Sequence, residues 1–144
     1  MRRILMLVLA AAVFGCGGSG PKTVPAKGTV KFADGTVPVG DVALIRFDPV
    51  GGIPLNQNPN QEGAQERHAA SGTIQADGAF TLTTFETGDG ALPGDYKVVL
   101  TVFKNRDTRE RLLADKYYSA ETTPLTASVT SSGPNEFSFT LDKR

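Results

Sequence analysis

Tryptophan is missing from these 144 residues, and histidine and cysteine occur once each, as His68 and Cys16. A lone cysteine cannot close an internal disulfide. A lone histidine with no Cys or His partner leaves nothing with recognisable metal-ligand spacing. A Ser-His-Asp triad would have His68 as its only base, and no nucleophile-elbow sequence accompanies it. Neither a cofactor nor an enzymatic activity is expected. Charge of one sign is also lacking: fifteen basic residues meet fifteen acidic ones. There is no basic surplus or Lys/Arg cluster for nucleic acid to use, so no nucleic-acid partner is expected. No internal repeat is visible, and no apolar run approaches the about 20 residues of a membrane-spanning helix.

What is present begins at the N-terminus. Arg2 and Arg3 precede an uninterrupted apolar run, Ile4 to Phe14. A basic pair followed by a short apolar segment has the dimensions of a secretory signal peptide. The run ends in Val13-Phe14-Gly15-Cys16, which resembles the bacterial lipobox: an aliphatic residue, a small residue, Gly or Ala, then Cys. Val13, Gly15 and Cys16 match; Phe14 departs from the small residue usual at its position. The resemblance implies a diacylglyceryl thioether on the Cys16 sulfur, with palmitate-type chains, and cleavage just before Cys16. It makes Cys16 a lipid attachment site and membrane lipid the first expected partner. Gly17 follows where an Asp would stand in the retention rule of diderm bacteria, which implies the outer membrane over the inner. Gly17-Gly18-Ser19-Gly20-Pro21-Lys22-Thr23 reads as a flexible tether. The expected organisation is therefore a signal peptide at 1–15, a lipidated cysteine and tether at 16–23, and one domain at 24–144.

From Val24 onward the apolar period is two, the period of strands. Val30 and Phe32 share a face, with Thr29 and Lys31 opposite. Asp34-Gly35 then marks a turn. Ala43, Ile45 and Phe47 line the next strand. Val42 and Leu44 make its other face apolar too, so it is expected to be central, and Pro49 ends it. Ala70 to Phe85 reads as a hairpin turning at Asp77-Gly78, and Gly94 to Phe103 as a strand burying Tyr96, Val98, Leu100 and Val102. Leu125, Ala127 and Val129 suggest a sixth strand; Phe137, Phe139 and Leu141 suggest a seventh. Seven short strands with turn signals predict an all-β sandwich. Two stretches do not fit. Residues 49–67 form a long loop rich in Gly, Pro, Asn and Gln, the segment expected to meet any partner. Within Lys104 to Pro124, Leu113 and Tyr117 stand four apart and predict a short helix.

Three motifs now carry a family likeness. Gly28, Val30, Gly35, Pro38 and Val39 form a strand, a turn and a Pro-Val start to the next strand. Ala76-Asp77-Gly78-Ala79-Phe80 forms a D-G-x-F hairpin, and Pro93-Gly94-Asp95-Tyr96 leads into a strand. In this order they resemble the transthyretin-like, carboxypeptidase regulatory-like domains, and the likeness covers Lys27 to the C-terminus. It implies a seven-stranded transthyretin-like (prealbumin-like, Ig-like) sandwich. Together with the lipobox it implies a lipoprotein that serves as a structural or protein-interaction module of the cell envelope. The alternative is a carbohydrate- or small-ligand-binding module, for which Tyr117-Tyr118 is the aromatic platform to consider. Two enzyme classes share this sandwich, and neither fits. Hydroxyisourate hydrolases carry several histidines and a Tyr-Arg-Gly-Ser tail. Intradiol dioxygenases hold iron with two His and two Tyr. The stretch Thr87 to Asp95 is glycine-rich, but it lacks phosphate-loop spacing and an EF-hand pattern, so Asp89 and Asp95 are expected in a plain surface loop. Arg106 to Arg111 mixes both signs and reads as a solvated face.

Overall fold

Alternating burial makes strands of the segments that the sequence pattern marks. The computed structural model describes residues 21–51 and 68–144. Cys16, the signal segment and residues 52–67 of the long loop lie outside the described residues. In β1 (Ala26–Phe32), Ala26, Val30 and Phe32 are buried and Lys27 and Lys31 are exposed. In β8 (Asn135–Leu141), Asn135, Phe139 and Leu141 turn inward while Glu136, Ser138 and Thr140 face water. Between them come β2 (Val42–Pro49), β3 (Ala70–Thr73), β4 (Ala79–Thr81), β5 (Gly94–Asn105), β6 (Glu110–Arg111) and β7 (Thr126–Val129).

Two sheets stack face to face. One has the order β4-β1-β8, the other β3-β2-β5-β6, with β7 also paired to β5. β1 and β8 run parallel, in register from Ala26 opposite Asn135 to Phe32 opposite Leu141. The start of β1, the end of β2 and the start of β5 lie at one end of the sandwich: Val24 bridges Ala91, and Pro49 pairs with Tyr96. The other end carries the Asp34-Gly35 turn, the end of β5 and the C-terminal residues.

The core centres on Phe47, which is fully buried. Its ring meets Phe137 and Phe139 edge-on at 5.3 and 6.1 Å, with Tyr96 at 5.8 Å and Phe80 at 6.2 Å. Such tilted pairs add to the gain from burying their area. Gly28 makes room for this cluster: a Cβ there would lie 2.2 Å from the Phe137 carbonyl oxygen and 2.7 Å from Phe80 Cζ. Gly35 and Gly78 take the positive φ, 82° and 86°, that the two expected turns require.

The all-β sandwich expected from the alternation is the fold observed, with eight strands among the described residues where seven were expected. The extra strand is β6. It arises in the stretch expected to be helical, because the Leu112 N–H is taken by the Val102 carbonyl at 3.1 Å, on the open edge of β5. Only a single 3-10 turn follows, Asp115–Tyr118. Leu113 and Tyr117 are both buried, as their spacing suggested, but Leu113 gets there as an extended residue bridged to Lys143. β2 is central, as expected, between β3 and β5. Its outer face is nonetheless open, with Leu44 44% exposed. The Asp77-Gly78 hairpin forms, but its arms join different sheets: β3 pairs with β2, and β4 with β1.

Candidate functional site

The chain enters the sandwich alongside the loop that joins β4 to β5. Val24 exchanges two backbone hydrogen bonds with Ala91, at 2.8 and 3.0 Å. Gly90 has φ +94°, and a Cβ on it would collide with the Val24 carbonyl oxygen at 1.8 Å, so the close approach needs glycine. Asp89 organises the loop. Its carboxylate accepts the N–H of Thr84 at 2.7 Å, of Phe85 at 3.0 Å and of Glu86 at 3.1 Å. Burial pushes the Asp89 pKa up, but these three donors and the Thr23 hydroxyl outweigh it and hold the carboxyl below its usual range. The Gly88 N–H donates to the Thr83 hydroxyl at 2.9 Å, and the Thr84 hydroxyl to the Gly90 carbonyl at 2.8 Å.

This closed loop presents Phe85. Phe32, Phe47, Phe80 and Phe139 are buried and Phe103 and Phe137 half-buried, whereas Phe85 is 50% exposed. His68 lies edge-on against its ring, with centroids 4.9 Å apart. Val50, also 50% exposed, stands at the same end, where its N–H donates to the Asp95 carbonyl at 2.9 Å. An open groove of 590 Å³ on the adjoining sheet face is lined by Arg46, Asp48, Val50, Lys97 and Glu121 among others. Its arginine is already engaged, since Arg46 clasps the Asp48 carboxylate through two contacts of 2.7 Å.

The structure places the other residues considered from sequence as follows. Tyr117 and Tyr118 do not form an exposed platform. Tyr117 is 2% exposed; its hydroxyl donates to the Asp142 carboxylate at 3.2 Å and accepts the Asp142 N–H at 3.0 Å. Lys116 holds that same carboxylate at 2.6 Å, which keeps the Asp142 pKa below and the Lys116 pKa above their ordinary values. Tyr118 donates to the Val102 carbonyl at 2.6 Å, stacks on Phe103 and lies under the Arg111 guanidinium. Asp89 and Asp95 do not act together: Asp89 closes the loop, and Asp95 accepts the Ser128 hydroxyl. Among the described residues no three His, Cys, Asp or Glu side chains are grouped closely enough to hold a metal ion. No helix among them is long and apolar enough to cross a membrane. Sequence reasoning missed Phe85 as a functional candidate. Its signal was phase: it follows Thr84 on the side of the strand opposite Phe80 and Leu82.

No family model matches the chain, and neither a curated protein nor a solved structure does so.

Proposed function

We propose that the chain is a lipid-anchored extracytoplasmic protein whose β-sandwich is a non-catalytic structural or protein-interaction module of the cell envelope, of the transthyretin-like, carboxypeptidase regulatory-like kind. One observation carries this reading: the order of residues 1–23. A basic pair, an apolar run, Val13-Phe14-Gly15-Cys16 and a glycine-rich tether follow in the sequence that lipid anchoring requires. Two or more acyl chains on Cys16 give durable attachment where one does not, at about 0.8 kcal/mol per buried methylene. Gly17 directs the anchored protein to the outer membrane.

The described domain supports the module part of the reading. Its buried side-chain polar atoms all have hydrogen-bond partners, and its most reactive-looking groups are tied to other parts of the fold. Tyr117, Tyr118, Asp89, Asp95 and Arg46 each hold a strand, a loop or a neighbouring side chain in place. The test is intact-mass analysis of protein taken from its native membranes, beside a Cys16→Ser variant. A chain beginning at residue 16 with added acyl mass, absent from the variant, is the expected result. An unmodified Cys16 overturns the anchoring.

A further inference from the structure

The anchored reading leaves open which end of the sandwich faces the bilayer, and the geometry of the incoming chain answers it. Val24 is paired with Ala91 through two backbone hydrogen bonds, so the tether leaves the domain beside the loop of residues 84–91. From Cys16 to Thr23 the chain reaches roughly 25 Å at full stretch. The far end, with Val39 and Lys143, lies about as far from Thr23 along β1, at about 3.3 Å per residue. To put that end on the lipid, the tether would have to run taut along the whole domain. To put the 84–91 end there, it needs no extension at all.

That end also carries the one exposed phenylalanine among the described residues, Phe85, on a loop closed by its own hydrogen bonds. A single exposed apolar side chain is ordinary on a protein surface; what singles out Phe85 is its place on the loop beside the tether. An aromatic ring held half out of the domain, within reach of an acylated cysteine, has a lipid surface as its nearest apolar phase. We propose that the tether end of the sandwich rests on the bilayer, with Phe85 entering the interfacial zone and Val50 beside it. The occupant of this patch is thus a lipid surface. The assignment rests on the lipid-anchored reading above. Acyl chains supply the affinity; Phe85 supplies orientation, since one ring adds too little to bind a membrane alone. Glu86 next to it is exposed and stays at the headgroup level, and Lys22 on the tether is exposed as well.

The absence of tryptophan provides the experiment. Full-length acylated F85W and V39W variants, each with a single indole, are placed in vesicles containing lipids brominated on the acyl chain. Acylation of each preparation is checked by intact mass. Val39 is 55% exposed at the far end. The expected result is blue-shifted emission and at least about twofold stronger quenching for F85W than for V39W. Equal, unquenched emission from two acylated variants overturns the orientation and leaves the anchoring intact. Unacylated protein overturns both. If F85W disturbs the loop, E86W on the same loop reports in its place, with the same two outcomes.

Discussion

Tyr96 puts its ring in the aromatic core and sends its hydroxyl back to the Leu92 carbonyl four residues earlier, at 2.7 Å. The residue is 2% exposed, and burial pushes its pKa up. The contact holds the turn before β5 against the first residues of that strand. Tyr96→Phe keeps the ring and loses the bond, so denaturant unfolding should show a cost of about 1–2 kcal/mol with an unchanged slope. Gly28 is a second residue whose role is spatial. Gly28→Ala drives a methyl into the Phe137 backbone and the Phe80 ring, and urea unfolding should register a loss of about 1–3 kcal/mol. The two differ in how they could be read. The tyrosine was legible, because a buried ring in a strand needs a local partner for its hydroxyl. The glycine was legible only as a strand position. Its need for space comes from Phe80 and Phe137, which are distant in sequence and meet β1 from either side.

Among the elements, the 84–91 loop shows how a carboxylate can act as the hub of a connection. With its folded-state pKa lowered, Asp89 binds its proton less readily in the folded than in the unfolded chain. Its contribution is therefore full above the unfolded-state pKa and is lost as pH falls through the lower folded-state value. Asp89→Asn should lower the melting temperature at neutral pH, by about 1–2 kcal/mol in stability, since an amide nitrogen replaces one acceptor oxygen. The gap between variant and native protein should narrow on acidification, which thermal melts from pH 7 to pH 2 would follow. Sequence alone marked Thr87 to Asp95 as a surface loop, but Gly90, Ala91 and Leu92 are buried, and Gly94 and Asp95 already belong to β5. What it could not give was the partner: Val24 approaches Ala91 from some 65 residues away, and no local pattern encodes that pairing. The same limit explains the hairpin whose arms split between sheets. It also explains β6, where the edge of β5 claims a segment whose own spacing favours a helix. Local periodicity fixes which side chains turn inward; edges and distant carbonyls decide what the backbone does with them.

At the scale of the molecule, the strands lay open in the alternation of Val30, Phe32, Ile45, Phe47, Tyr96, Val98, Phe139 and Leu141, all of them buried. The proposed anchor is read from a motif at residues 13–16. Where the chain enters the domain was not visible at all, because it depends on where β1 begins relative to the β4–β5 loop. In the proposed arrangement the lipid-facing end bears Phe85 and the tether. The opposite end bears the β5–β6 turn, where Arg106 holds Asp41 through its backbone N–H at 3.1 Å, and the C-terminal residues pinned by the Lys143–Asp34 ion pair. In that proposed arrangement the far end is the one left free for other envelope components.

The parallel pairing of β1 with β8 has a mechanical consequence. The chain enters β1 at the end proposed to face the membrane and leaves β8 at the other, and the two strands lie side by side over seven matched positions. A pull between the anchor and the C-terminal side slides one strand along the other. The hydrogen bonds between them then share the force and break together, whereas in a hairpin pulled open at one end they would break in turn. A tethered domain built this way is loaded along its stiffest direction, as a rivet is loaded in shear.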